Sequence, residues 1–325
     1  MRLSSIFASL AVGVSLLAMP ADAETFPSSP VKVIVPFAPG GPVDVLARAV
    51  GESFRERTGQ SLVVENKPGG NTSIGAAACK NSAPDGYTVC LLTSSTITLN
   101  PFLYKSLPYD AEKDLEPVTN LVMGRQVLMV STSVDVKTFA ELVALSKQNP
   151  DKLSFGSFGT GGDSHLLVEW LAKKTGLKVL HVPYQGAAPA LLAFERGDVQ
   201  LLLPISTEPV LERIKSGKAK ALLVTGTKRD PNLPDVPTVQ EAGLESIGYE
   251  TWFGSFAPAN TPRDRIDTLA KIIGDIVRSE SFRSKYVKAG YDTVGNSSAE
   301  FKKAIAAERG ASKALVEISG VTIAQ

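Results

Sequence analysis

Two rhythms of apolar residues alternate along the chain. The short apolar runs VKVIVPF, SLVVENK and YTVCLLT read as buried strands, whereas VDVLARAVGESFRERTG and TSIGAAACKNS repeat apolar residues at helical spacing. In the first of those helices Val43, Leu46, Val50 and Phe54 share one face. A second series follows the irregular, proline-bearing SLPYDAEKDLEPV. There the strands RQVLMVST, KLSFGS, LKVLHVPY, VQLLLP and AKALLVTG interleave with the helices TFAELVALSKQNP, DSHLLVEWLAKKTG, APALLAFERGD and EPVLERIKSG. Strands separated by single helices predict parallel βαβ units and a doubly wound α/β sheet in each of two lobes. Beyond PNLPDVPTVQEAGL, the strand YETWFGSFAP leads into DRIDTLAKIIGDIVRSE and AEFKKAIAAERGASKALVEIS, closing helices expected to pack back on the first lobe. The expected division is 24–123 plus 254–325 for lobe 1 and 124–253 for lobe 2, with chain crossings near Met123 and Gly254.

In each half, one strand runs through a glycine-rich turn into a helix: VKVIVPFAPGGPVDVLARAV and KLSFGSFGTGGDSHLLVEWL. The first amides of a helix lack intrahelical acceptors and lie at the positive end of its dipole, so each junction is a candidate anion cradle. Pro36 and Pro39 stiffen the first loop, Gly40 and Gly41 permit close approach, and Pro42 and Asp44 suit a first helical turn. A tight strand-to-helix connection without a ligand would use the same residues. In the second loop Gly156, Gly159, Gly161 and Gly162 free the backbone, Ser157 and Thr160 add hydroxyls, and Asp163 or Ser164 is expected to cap the helix carrying His165. His165 has two readings, packing with a backbone hydrogen bond or contact with a ligand; His181, inside a strand, reads as structural. Ser94, Ser95 and Thr96 lie just past the third strand, and Tyr184, Gln185 and Gly186 past another, where open α/β sheets bind ligands. Gly69 and Gly70 either border the cleft or only shape a turn. Trp252 and Phe253 read as hinge-strand or core aromatics, with an apolar cleft wall as the alternative.

Composition narrows the function classes. The 325 residues are 43% hydrophobic and 21% charged, enough for two cores, and 34 basic against 33 acidic residues imply no basic face for nucleic acid. The N-terminus reads as a signal peptide over 1–23: Arg2, an apolar stretch from Leu3 to Met19, then Ala21-Asp22-Ala23 as a cleavage site. An uncleaved anchor would need about 20 apolar residues and meets Ser4, Ser5, Ser9 and Ser15 instead. Export to the periplasm is expected. Cys79 and Cys90 are either a bridge from helix to strand, stabilising by about 3 kcal/mol in the chain-entropy model, or two small buried thiols. Two Cys and two His at no ligand-like spacing predict neither metal nor cofactor.

The segments PFAPGGPVD, ENKPGGNTSIGA, APDGYT, GSFGTGGDSHL, HVPYQGAAPALL, DVPTVQEAG and WFGSFAPANTP, in that order from about Val31 to Glu308, resemble the Bug family, the solute receptors of tripartite tricarboxylate transporters. The resemblance implies a type II periplasmic binding protein of Venus-flytrap shape, monomeric, that holds a small carboxylate in the interlobe cleft and passes it to membrane subunits. It makes Phe37, Ala38, Gly40, Gly41 and Asp44 lining residues of one jaw, faced by Ser157, Gly159, Thr160, Gly161 and His165, with Ser94, Ser95, Thr96, Tyr184, Gln185 and Gly186 between. Four positions depart from the family pattern: Gly162 stands where Ser is usual, and Ala193, Gln200 and Pro204 replace acidic residues. Carboxylates at the cleft would favour an ammonium, so loss of the last of them points to a non-amino carboxylate, aliphatic or aromatic, with altered interlobe contacts as the alternative reading.

Two other classes compete. A hydrolase using Ser157 and His165 lacks a G-x-S-x-G elbow and an evident acid to orient the histidine, so an enzyme is not expected. A receptor that reports ligand occupancy to a membrane signalling protein would carry the same residues as an uptake receptor.

Overall fold

The computed structural model describes residues 26–150, 152–246 and 248–323; the signal-peptide reading of 1–23 lies outside them. Helix and strand alternate from the start: β1 (Val31–Val35), α1 (Pro42–Thr58), β2 (Leu62–Asn66), α2 (Ser73–Lys80) and β3 (Thr88–Thr93). A π-helical turn, Ser95–Leu99, runs into the short α3 (Asn100–Leu103) before β4 (Leu115–Gly124). The second series comprises β5 (Val127–Ser131), α4 (Phe139–Gln148), β6 (Ser154–Ser157), α5 (Asp163–Thr175), β7 (Leu180–Pro183), α6 (Ala187–Arg196), β8 (Leu201–Leu202), α7 (Glu208–Lys215) and β9 (Ala219–Val224). The chain then returns through β10 (Thr251–Pro258), α8 (Arg263–Arg278), α9 (Glu280–Lys288), β11 (Tyr291–Thr293) and α10 (Ser298–Ser319).

These strands form two sheets, one per lobe, in the orders β11-β4-β10-β3-β1-β2 and β7-β6-β8-β5-β9. Both are mixed, not parallel throughout. β1 pairs in parallel with β2 and β3, but β10 lies antiparallel between β3 and β4, and β11 is antiparallel to β4. In the second sheet β6 is parallel to β7 and β8, while β5 runs antiparallel to β8 and β9. The chain leaves one lobe and re-enters it along neighbouring strands, so a returning strand inserts against the direction of its neighbours. β10 already belongs to the first sheet at Thr251.

Burial follows the sequence periodicity. Along α1, Val43, Leu46, Val50 and Phe54 enter the core under β1 and β3, where Ile266, Leu269 and Ile273 of α8 meet them. Full burial of Phe54 alone stabilises by roughly 2–3 kcal/mol. In the second lobe Phe155, Leu166 and Trp170 centre a separate core. Cys79 and Cys90 are disulfide-bonded, tying the end of α2 to β3.

Of the closing helices, α8 packs on the first lobe as expected, but α10 spans both. A capping box, Ser297 with Glu300, starts it, and Phe301 packs with Trp252 and Phe256 of the first lobe. Its far end carries Leu315 and Val316 into the core of the second lobe. Midway, Glu308 accepts a 2.6 Å hydrogen bond from Trp252 Nε1, and burial pushes its carboxyl up to about 7. The apolar face of α10 is too long for one lobe to cover.

Candidate functional site

The first glycine loop leaves β1 at Val35 and enters α1 at Pro42, with residues 38–40 exposed. Pro42 has no amide hydrogen and α1 offers no acceptor for its first-turn amides, so the Gly41 and Val43 N–H groups head a helix without intrahelical partners. Gly40 has φ +82°, a left-handed turn that favours glycine, whereas Gly41 is extended at φ −77°.

Asp44 sits beneath this loop, and its role differs from the expected one. Its Oδ2 accepts from Gly40 N at 3.0 Å and Arg48 Nε at 2.9 Å; its Oδ1 accepts from Arg48 Nη2 and Asn66 Nδ2, both at 3.0 Å. With only 2% of the residue exposed and four donors already served, Asp44 braces the loop and does not line it. The Gly40 amide is likewise turned inward. The Arg48 guanidinium is the main reason its carboxyl is held at about 2, and the same partner offsets a charge that would repel an anion. Asn66, at the end of β2, also donates to Phe37 O at 2.9 Å, completing a brace that sequence reasoning missed.

The second loop leaves β6 at Ser157 and enters α5 at Asp163. Neither expected residue sits at the N-cap of α5, although Asp163 Oδ1 accepts from Ser164 N at 2.8 Å within the first turn. Gly162 is the cap residue, and Asp163 turns to the returning strand, accepting from Thr251 Oγ1 at 3.0 Å across the lobes. Burial raises the Asp163 carboxyl above its usual range. Gly162 N donates to Gly159 O at 3.2 Å, while Thr160 is exposed. A Cβ on Gly162 would lie 3.4 Å from Gly159 O, so this loop has room for the serine it lacks. Gly186, at φ +109°, precedes α6 and places a third helix start beside the loop, with exposed Gln185 and half-buried Tyr184, whose N donates to Ser157 O at 3.0 Å.

Behind this loop lie both histidines. Their rings stack 3.7 Å apart at an interplanar angle of 10°. Gly161 N donates to His165 Nδ1 at 3.1 Å, the backbone bond of one sequence reading, and His165 is only 6% exposed. Burial, then the neighbouring His181, lowers its pKa to about 4; burial also lowers that of His181. Ser157 Oγ lies 2.6 Å from His181 Nε2, not beside His165, and is fully buried. The Ser157–His165 hydrolase pair is therefore not assembled.

The hydroxyls past β3 do not face an open cleft. Ser94 and Thr96 are fully buried and Ser95 nearly so. Ser94 Oγ is 2.8 Å from Tyr249 OH and accepts from Trp252 N at 3.3 Å; Thr96 Oγ1 is 2.7 Å from Thr72 Oγ1 and 3.1 Å from Thr93 Oγ1. Position after a strand put them at the cleft, but winding into a π-helical turn directs them inward. Gly69 and Gly70 shape the turn into α2, their carbonyls accepting from Ile74 N and Ser73 N. Trp252 and Phe253 are core residues, 3% and 6% exposed. Among the departures, Gln200 accepts from Ser154 N and Oγ, and Ala193 and Pro204 are buried. The three substitutions therefore belong to the packing of the second lobe.

The two loops thus place helix starts from different lobes, each braced from below; in the second, the Gly161, Gly162 and Ser164 amides already have acceptors. Residues 46–321 match the family model described as tripartite tricarboxylate transporter family receptor. The chain belongs to that family. It is similar to BugT of Bordetella pertussis, 33% identical over 276 residues that cover 84% of each protein. Among solved structures it resembles the periplasmic binding protein BugD at 32% identity and TM-score 0.83, with 91% of this chain and 99% of that one covered. R. palustris Rpa4515, solved with adipate, gives 29% identity and TM-score 0.85 over 91% and 99% of the two chains. MatC of Rhodopseudomonas palustris, solved with bound malate, gives 27% identity and TM-score 0.82 over 90% and 100%. The family is one of solute-binding receptors with the two-lobed periplasmic binding protein fold.

Proposed function

We propose that this receptor captures a small carboxylate between the 37–41 and 157–162 loops, as an exported periplasmic protein freed of residues 1–23, and hands it to the membrane subunits of a tripartite transporter. The observation that carries the reading is the pair of glycine loops, each ending in a helix whose first amides have no helical acceptor, while the one acidic side chain under the first loop is neutralised by Arg48. At the first loop an anion then meets N–H groups without meeting an unpaired negative charge. Rpa4515 with adipate and MatC with malate, two relatives solved with aliphatic dicarboxylates, support that ligand class.

A thermal-shift screen over dicarboxylates, tricarboxylates, aromatic acids and amino acids tests it. A ligand present at about 1,000 times its Kd stabilises by about 4 kcal/mol. Gly41→Val is the informative variant. Gly41 is extended and its new Cβ would meet only Ala38 O, at 3.7 Å, so the fold tolerates the change while a branched side chain covers the free amides. The parent is expected to shift with a carboxylate and Gly41→Val to lose the shift at an unchanged apo Tm. An equal shift in both proteins would remove the first loop from the site.

A further inference from the structure

Two consecutive residues in the loop before α2 adopt a left-handed backbone, which asparagine tolerates and threonine disfavours. Asn71 has φ +46° and Thr72 φ +73°, both left-handed, and Thr72 is β-branched. Only surroundings that over-determine such a conformation keep it in place. Here Thr72, 5% exposed, sets Oγ1 at 2.7 Å from Thr96 Oγ1. Asn71 O accepts from Asn100 Nδ2 at 3.0 Å, and fully buried Asn100 also donates to Tyr109 OH at 3.2 Å. Tyr109 OH closes the ring of bonds by donating to Thr96 O at 2.6 Å.

This network lies in the first lobe but has an arm that leaves it. Asn71 Nδ2 donates to Asn100 Oδ1 at 3.0 Å and to Gly161 O at 3.3 Å, in the middle of the second glycine loop. Gly161 is therefore held from two sides, its carbonyl by Asn71 of the first lobe and its amide by His165 of its own. The fit is close: at φ +78°, a Cβ on Gly161 would stand 2.6 Å from Leu103 Cδ2 and 2.4 Å from Ile323 Cδ1. Because each peptide unit is planar, fixing the Gly161 carbonyl and amide fixes the planes on both sides of that residue. The orientation of the Thr160 carbonyl and the Gly162 amide, which share those planes, follows.

We infer that Asn71 is a cross-lobe positioning residue for ligand capture: its left-handed backbone, held by Asn100, aims its amide at Gly161 and sets the second loop in register with the first. The inference rests on the carboxylate-capture reading for its functional consequence, but its structural half stands on the apo protein alone.

The test uses Asn71→Asp, which keeps the shape and removes both N–H donors, and Thr72→Gly, which accepts φ +73° without strain. Amide hydrogen exchange, followed residue by residue across 158–165 in the apo protein, is the first readout. Asn71→Asp is expected to accelerate exchange there about tenfold and Thr72→Gly by less than about threefold, both with global unfolding little changed. Calorimetric titration with malate, adipate and citrate is the second readout. Whichever of these the parent binds should bind Asn71→Asp about tenfold more weakly, and Thr72→Gly nearly as tightly as the parent. Unchanged exchange in Asn71→Asp overturns the inference. So does faster exchange with unchanged affinity, since Asn71 would then be structural only. A parent that binds none of the three acids contradicts their capture instead, and the exchange result still decides whether Asn71 holds the second loop.

Discussion

The two glycine loops share a plan, strand through a glycine turn into helix, but are held by different chemistry. The first is braced locally and ionically: Asp44 lies in the same helical turn as the loop it supports and is bonded to Gly40, Arg48 and Asn66. The second is braced by neutral groups: by His165, four residues along just as Asp44 is, by His181 stacked on it, and by Asn71 from the other lobe. An ionic brace with its own counter-ion is self-contained and survives any motion of the lobes. A brace that depends on an imidazole lone pair and a residue of the opposite lobe makes the second loop sensitive to pH and to lobe position.

The largest effect that would separate the two is expected from Asp44→Asn. The amide cannot accept the same set of donors, and its NH2 must face Gly40 N–H or Arg48. Stability should fall by about 2 kcal/mol, and carboxylate affinity by about tenfold or more. Because the folded Asp44 titrates at about 2 against 3.8 for the free group, its contribution is complete above pH 3.8 and fades only as pH falls from there towards 2. The parent's first loop should therefore keep its amide protection factors at pH 5. Lower protection across 38–44 at that pH would break the comparison.

A smaller effect, with the opposite location, is expected from His165. Its folded pKa of about 4 lies below the free value of 6.5, so the neutral ring's contribution is complete above pH 6.5 and is lost as pH falls towards 4. Protonation removes the Nδ1 lone pair that accepts from Gly161 and sets like charge against His181. Glu169, 3.9 Å from Nε2, offers little compensation, since its own carboxyl is raised by burial. Protection factors across 158–165 should fall between pH 6.5 and 5 while those across 38–44 hold. His165→Asn, uncharged throughout, should flatten that dependence.

The smallest effect is expected from Gly162→Ser. The backbone is already extended and the space exists, so stability should change by only a few tenths of a kcal/mol, checked by chemical denaturation. A large loss would mean that the second loop is packed more tightly than the first.

Much of this was legible in the chain because it is local. Strand-to-glycine-to-helix junctions depend on a few adjacent residues, and both loops fall where the pattern puts them. The directions of strands were not legible: an apolar run such as TWFGSFAP looks the same parallel or antiparallel, and its antiparallel insertion depends on where the chain returns. β4 escaped notice because Pro117 and the acidic DLEP stretch mask the start of its apolar run, and α9 with β11 because their spans are short and polar. At the site, Ser94 and Thr96 stand where ligands bind in open sheets, yet partners distant in sequence, Tyr249 and Thr72, claim their hydroxyls. Asn71 and the pairing of Ser157 with His181 instead of His165 are likewise contacts between segments, which no spacing rule announces.

The account stands most directly on whether a carboxylate group is what the two loops recognise. Calorimetric titration of the protein with malate and adipate, each beside its diamide, measures this in one experiment. The account predicts saturable binding of at least one diacid and none of its diamide, because helix-start amides attract the anion and not the neutral carbonyl. Equal binding of acid and amide, or of neither while an uncharged solute binds, would contradict it.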